Sequence, residues 1–156
     1  MLKLRKNKKG FTLVELIVVI AIMAVLAGVV AGVTVSQLNK NTDKTNLSQA
    51  KGIADFVAGE IADTTSSVYV DGELNADKIL EAILGQYGSV NFIKADGKIA
   101  DAPTSKGQFA VKVNEASSKV TSVDILYKNK TGSGDIKGYT VSTEGVITNY
   151  QAPAGN

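Results

Sequence analysis

Near its N-terminus the chain carries a long hydrophobic segment without polar interruptions. From Leu16 to Val33, 18 consecutive residues have neither a charge nor a hydrogen-bonding side chain. A helix needs about 20 apolar residues to cross the hydrocarbon core of a bilayer. The pattern therefore predicts a membrane-spanning helix in this part of the chain.

The segment that follows is amphipathic with a helical period. Its apolar residues recur at spacings of three and four, which places them on one face of a helix. We predict one continuous helix from Thr12 to about Asp63. The alternative is a separate helix after a hinge between Ser36 and Thr45, where asparagine and threonine are poor helix formers. The residues of the apolar face are Leu47, Ala50, Ala54, Val57 and Ile61.

Later in the chain the period changes from helical to two. A short helix is predicted from Ala76 to Leu84, with Asn75 as its N-cap and Gly85 or Gly88 at its end. Period-two alternation then indicates antiparallel strands. The predicted strands are Phe109 to Val113, Val123 to Tyr127, Tyr139 to Ser142 and Val146 to Tyr150.

These elements predict an α+β fold, in which a long N-terminal helix packs on a small antiparallel sheet. We divide the chain into a basic leader (residues 1–10), a hydrophobic helix (11–35), its amphipathic continuation (36–63) and a globular α+β head (64–156). The stretches from Lys94 to Lys106 and from Lys128 to Gly138 are rich in small polar residues and are predicted as surface loops.

Charge and composition narrow the function classes. The net charge is +2, but five of the 17 basic residues lie in the first ten positions. The remaining chain has 12 basic and 15 acidic residues, which does not favour a nucleic-acid binder. The chain contains no cysteine, histidine or tryptophan, which excludes Ser-His-Asp and Cys-His catalytic sites and disulfides. We predict no enzyme activity, no metal site and no cofactor.

Several short motifs are better explained as structure than as chemistry. Ser48–Lys51 and Lys130–Gly132 match two marks of penicillin-binding enzymes, but the third mark is missing and the chain is too short. The alternating acids from Asp71 to Asp77 lack the glycine and the final glutamate of a calcium loop, so we interpret them as a solvated turn. Asn46–Ser48 and Asn129–Thr131 have the spacing of glycosylation sites.

Three explanations of the N-terminal segment differ in whether they account for the charge of Glu15. A cleavable secretory signal could end after Val29–Ala31, but its apolar core would be unusually long. A plain signal anchor explains the hydrophobic span. Neither explains Glu15, because a charge at the centre of a membrane helix costs about 2.5 to 3.5 kcal/mol.

The third explanation accounts for this carboxylate. The sequence Gly10-Phe11-Thr12-Leu13-Val14-Glu15, between a basic leader and an apolar helix, resembles the N-terminus of type IV prepilins. The resemblance implies that a prepilin peptidase cuts between Gly10 and Phe11 and methylates the new amine of Phe11. It also implies that Glu15 pairs with the N-terminal amine of a neighbouring subunit, so that Glu15, Phe11 and Thr12 direct assembly.

The chain departs from the family pattern at three points. Gly32 stands where these proteins often have proline, and Ala24 where glycine is frequent. We predict that Gly28 and Gly32 make the helix flexible, and their spacing also allows close helix packing. Many Gram-negative pilins have a C-terminal disulfide, so the absence of cysteine favours a Gram-positive-type major pilin.

The resemblance implies a structural subunit of an extracellular pilus that serves adhesion, surface motility, or biofilm formation and aggregation. The precursor would span the cytoplasmic membrane once, with its N-terminus in the cytoplasm. Implied partners are further copies of the chain, prepilin peptidase, an assembly ATPase with its membrane platform, and minor pilins. Two alternatives stay open: a pseudopilin of a type II secretion or DNA-uptake system, and a signal-anchored surface domain that never polymerises.

Overall fold

The computed structural model describes residues 10–152, so the predicted leader, apart from Gly10, lies outside the described residues. The chain divides into two compact units between Leu38 and Asn39. We call residues 39–152 the head unit. In chain order the elements are α1 (Leu13–Ala62), β1 (Tyr69–Val70), β2 (Glu73–Leu74), α2 (Ala76–Tyr87), β3 (Lys94–Ala95), β4 (Lys98–Ile99), β5 (Phe109–Ala116), β6 (Lys119–Lys128), β7 (Ile136–Ser142) and β8 (Ile147–Asn149).

Helix α1 is a single element of 50 residues, or about 75 Å at 1.5 Å per residue. It runs without a break through the stretch from Ser36 to Thr45, so the alternative of two separate helices is wrong. It also continues through Gly28 and Gly32, whose flexibility stays a prediction. Among the described residues, α1 alone is long and apolar enough to cross a membrane.

The head unit is built on a four-stranded antiparallel sheet with the strand order β5-β6-β7-β8. This confirms the α+β class. Inward residues of the sheet, such as Val111, Val123 and Ile125, are buried in one cluster with the apolar face of α1. Four of the five residues predicted for that face are buried, and Leu47 is half-buried. The buried residues of α1 are Asp43, Ala50, Ile53, Ala54, Val57 and Ile61.

The predicted second helix is confirmed as α2. Its N-cap is Asn75, whose side-chain oxygen accepts a hydrogen bond from the Lys78 amide at 3.1 Å. The helix continues one turn beyond the predicted end and stops at Gly88. The preceding acidic stretch is a hairpin, in which Asp71 and Gly72 have φ values of 52° and 80°. These values suit a tight turn between strands, so the interpretation as a simple solvated turn missed β1 and β2.

The prediction of surface loops at residues 94–106 and 128–138 is partly wrong. The first contains the β3–β4 hairpin, and its Ile99 is buried. The second includes the start of β7 and a short segment held by α1. There, Asp43 accepts hydrogen bonds from the Lys130 amide at 2.7 Å and from the amide and hydroxyl of Thr131 at 2.9 and 2.6 Å. The Tyr127 hydroxyl donates a fourth at 2.7 Å, and itself accepts one from Asn46 at 3.1 Å.

We expect Gly138→Ala to destabilise the head unit strongly. A Cβ atom at this position would lie 1.9 Å from the carbonyl oxygen of Ile125 on the neighbouring strand. Because the clash is with backbone, no side-chain rotation relieves it, and a loss of about 2 kcal/mol or more in the free energy of unfolding follows. The measurement is denaturant unfolding of the detergent-solubilised chain.

The matched control is Gly59→Ala, an exposed position in α1 where an added Cβ meets no atom within 4 Å. Alanine is favoured over glycine inside a helix by about 0.5 to 1 kcal/mol, so this variant should be slightly stabilised. Equal small effects in both variants would contradict the close strand approach at Gly138.

Candidate processing and assembly site

The first turn of α1 is closed by a reciprocal pair of side chains. Thr12 precedes the helix, and its hydroxyl accepts a hydrogen bond from the Glu15 amide at 3.2 Å. The Glu15 carboxylate in turn accepts from the Thr12 amide at 2.8 Å and from the Thr12 hydroxyl at 2.9 Å. This is a capping box, which satisfies amides that a helix N-terminus leaves without partners.

The capping box fixes the direction of the Glu15 side chain. Its Oε2 atom lies at the amide of Thr12 and therefore one residue from the amide of Phe11. The peptide bond between Gly10 and Phe11 is the predicted cleavage point. If that bond is cut, the new α-amine belongs to the residue next to Thr12, whose amide the Glu15 carboxylate binds. A negative charge is also favoured at a helix N-terminus by the helix dipole.

The predicted cleavage point is open to an external enzyme. Gly10 is exposed and Phe11 is 91% exposed. A Cβ atom added at Gly10 would meet no atom within 4 Å. The fold of the chain therefore gives no steric reason for a glycine here.

The hydrophobic half of α1 is left uncovered by the residues that the structure describes. Every large apolar side chain from Leu13 to Val33 is between 49% and 74% exposed, on all sides of the helix. Gly28 and Gly32 likewise have no neighbour within 4 Å of an added Cβ. A soluble chain rarely exposes an apolar surface of this extent. The segment is therefore built to be covered, either by lipid or by other helices.

The comparison with known protein families agrees with this geometry. A family described as the prokaryotic N-terminal methylation motif matches residues 5–31. The chain carries a type IV pilin-type prepilin signal. No curated protein and no solved structure matches the chain.

The prepilin signal and the apolar half of α1 support a type IV pilin-like prepilin or pseudopilin with a membrane-anchored precursor. The matched motif is that of structural subunits and not of catalysts. Among residues 10–152, no group of three or more acidic side chains is arranged to hold a metal ion.

The structure brings part of the predicted site together. Gly10, Phe11, Thr12 and Glu15 lie at the first turn of α1. Gly28 lies more than three turns further along, so the two glycines belong to a separate region of the helix. The roles assigned to these residues in cleavage, methylation, assembly and flexibility stay predictions.

The sequence analysis missed two features of the short motifs that it identified. The first is the capping box, although the spacing Thr-x-x-Glu before an apolar run is its sequence signature. The second concerns the glycosylation spacings. The amide of Asn46 donates to Tyr127, and the hydroxyl of Thr131 donates to Asp43. Both motifs thus have polar side chains engaged within the folded head unit.

Proposed function

We propose that the chain is a structural subunit of a type IV pilus. Prepilin peptidase cuts between Gly10 and Phe11, the amine of Phe11 is methylated, and the hydrophobic half of α1 then polymerises into an extracellular filament. The observation that carries the proposal is the Glu15 carboxylate, held by Thr12 at the start of an otherwise uncovered apolar helix.

The free energy of helix association favours a charge pair as the contact that sets the register between neighbouring subunits. Moving an apolar helix from lipid to neighbouring helices gains little hydrophobic free energy, because lipid tails are as apolar as leucine. Packing of small residues such as Gly28 and Gly32 and polar pairing must then decide the geometry. An amine at Phe11 is largely cationic at neutral pH, and methylation preserves its charge. Pairing with Glu15 of a neighbouring copy offsets the cost of burying both charges.

The proposal implies a set of partners and a path. The precursor lies in the cytoplasmic membrane with its N-terminus inside, and an assembly ATPase with its membrane platform adds it to the filament, with minor pilins as further components. Local unwinding at Gly28 and Gly32 would let the helix adapt to its neighbours. The absence of cysteine supports a Gram-positive-type major pilin. Adhesion, surface motility, or biofilm formation and aggregation are the processes that such a filament serves.

The test is mass spectrometry of the N-terminal peptide from filaments sheared off the native host. We expect a peptide that begins at Phe11 and is heavier by one methyl group. Long filaments that contain this chain would support a pilin, whereas short structures confined to the cell envelope would indicate a pseudopilin. An intact Met1, or a start near Gly32, would contradict the proposal and indicate an ordinary anchor or secretory signal.

A further inference from the structure

The head unit has a cluster of lysines at the end where Asp43 lies. Lys40 and Lys44 flank Asp43 on α1, and Lys130 donates its amide to it. Three more lysines lie at the same end. The carbonyl of Gly132, which follows Thr131, accepts a hydrogen bond from Lys106. Tyr127 precedes Lys128 in the chain and pairs with Lys137 on the neighbouring strand. We call this set the lysine end: Lys40, Lys44, Lys106, Lys128, Lys130 and Lys137.

The opposite end of the same unit is rich in carboxylates. Glu60 and Asp63 lie at the C-terminal end of α1. The Tyr69 hydroxyl donates to the Ile61 carbonyl at 2.6 Å, which brings the β1–β2 hairpin there. The β7–β8 turn is there too, because a Cβ on Gly145 would lie 3.2 Å from the Ala58 carbonyl oxygen. We call this set the carboxylate end: Glu60, Asp63, Asp71, Glu73, Glu115 and Glu144.

Few opposite charges neutralise either end. The lysine end contains Asp43, which is buried, and Asp135. At the carboxylate end Lys119 pairs with Glu73 at 2.5 Å, which also brings the β5–β6 turn with Glu115 to this end. The other ion pairs of residues 10–152 join Lys51 with Asp55, Lys78 with Glu81, and Lys98 with Asp77. No lysine of the lysine end therefore forms an ion pair within the described part of the chain.

The two ends are too far apart to neutralise each other. Asp43 and Glu60 are separated along α1 by about 26 Å at 1.5 Å per residue. The Debye length at physiological ionic strength is about 8 Å. Each end therefore presents its charge to an outside partner, and the two charges are opposite in sign.

We propose that the lysine end of one head unit contacts the carboxylate end of another copy. This inference rests on the proposed polymerisation and adds a second, electrostatic contact to it. A contact between two different patches of one chain is heterologous, so its repetition generates closed rings or open helical filaments, and the proposed pilus is of the second kind. An anionic membrane surface would complement the lysine end but leaves the carboxylate end unexplained, so a second copy is the better occupant. Such charges act mainly on register and on the rate of encounter.

The test reverses charges at each end in the full chain, expressed in an assembly-competent host. One variant carries Lys44→Glu and Lys137→Glu, and another carries Glu115→Lys and Glu144→Lys; all four side chains are exposed. We expect each double variant to lower the yield of sheared filaments at least five-fold. The variant with all four changes should return to within two-fold of wild type, because the contact is restored with its signs exchanged.

The matched control carries Lys94→Glu, which is exposed, lies at neither end and breaks no ion pair of the described residues; it is compared with the single change Lys137→Glu, which alters the net charge equally. Its filament yield should stay near wild type, with equal precursor levels and thermal melting in all variants. Wild-type filaments should also dissociate more readily at about 1 M salt, where the Debye length is about 3 Å.

The outcomes separate this inference from the proposed function. If wild-type filaments form and the end variants behave like the control, the contact between ends is wrong while polymerisation stands. If only the lysine-end variant fails and the fourfold variant is not restored, the lysine end binds an anionic surface such as lipid, and the inference is overturned. If no wild-type filaments form, both proposals fail together.

Discussion

Filaments are expected to be lost from Glu15→Gln, while the precursor, its cleavage and the start of α1 stay intact. Glutamine is also accepted at the third position of a capping box, so this variant removes the charge and keeps a hydrogen-bond acceptor for Thr12. The buried amine of Phe11 in a filament would then have no counter-charge. Breaking a buried ion pair costs about 3 to 5 kcal/mol, or at least a hundred-fold in filament yield. The measurement is sheared filament protein per unit of membrane precursor.

Thr12→Ala is the control, because it weakens the cap and keeps the charge. The Thr12 hydroxyl accepts from the Glu15 amide, and loss of an N-cap costs about 1 kcal/mol. Filament yield should therefore fall far less than in Glu15→Gln. If the two variants lose filaments equally, Glu15 acts through the helix cap alone. If Glu15→Gln assembles normally, the carboxylate has no role in assembly.

Asp43→Ala is expected to lower the free energy of unfolding of the head unit by about 3 kcal/mol or more. The change removes four hydrogen bonds and leaves the Tyr127 hydroxyl and the amides of Lys130 and Thr131 without their acceptor. A buried polar group without a partner costs about 1 to 3 kcal/mol. The melting temperature should fall by about 10 °C, as followed by circular dichroism in detergent.

Asp63→Ala is the matched control, since this aspartate also accepts two hydrogen bonds, from the amide and hydroxyl of Thr65 at 2.9 and 2.6 Å. Because Asp63 is exposed, water can accept the two hydrogen bonds of Thr65 after the substitution. The loss should be about 1 kcal/mol or less. Similar losses in both variants would contradict the role of burial at Asp43.

The same site predicts an acid-dependent loss of stability. Burial acts to raise the pKa of Asp43, but hydrogen bonds from Thr131, Lys130 and Tyr127 outweigh it and hold the pKa at about 2, below the ordinary 3.8. Because the folded-state pKa is lowered, the stabilisation is complete above pH 3.8 and is lost as the pH falls toward 2. We expect wild type to lose about 2 kcal/mol over this range relative to Asp43→Asn. If the free energies of unfolding of wild type and Asp43→Asn changed with pH in the same way, this prediction would be contradicted.

The sequence predicted α1 and the main sheet because both show long, regular periodicities. It predicted a continuous helix but left a hinge near residues 36–45 as an alternative, since local propensity there opposes the helix. The contacts that hold the adjoining part of α1 in the head unit, from Asp43 to Thr131 and from Asn46 to Tyr127, join residues more than 80 positions apart. No local pattern shows such a contact. Strands β1 to β4 were missed because two residues are too few to display a period of two.

The candidate site was predictable to a different degree. The motif from Gly10 to Glu15 is short and local, so its residues were identified from the sequence alone. The reciprocal bonds of Thr12 and Glu15 follow from the same Thr-x-x-Glu spacing, which is the signature of a capping box. The charged ends of the head unit depend on which turns the fold brings together, which the chain order of lysines and acids does not reveal.

The position of Asp43 has a mechanical consequence. It is the first residue of α1, counted from the N-terminus, that is buried. A pulling force that travels along the helix from its N-terminal half reaches this residue before Ala50 and the apolar contacts beyond it. Several hydrogen bonds loaded side by side resist shear together, whereas apolar contacts can slide. The hydrogen bonds of Asp43 with Tyr127, Lys130 and Thr131 would thus carry tension from α1 into the head unit before it reaches the apolar core.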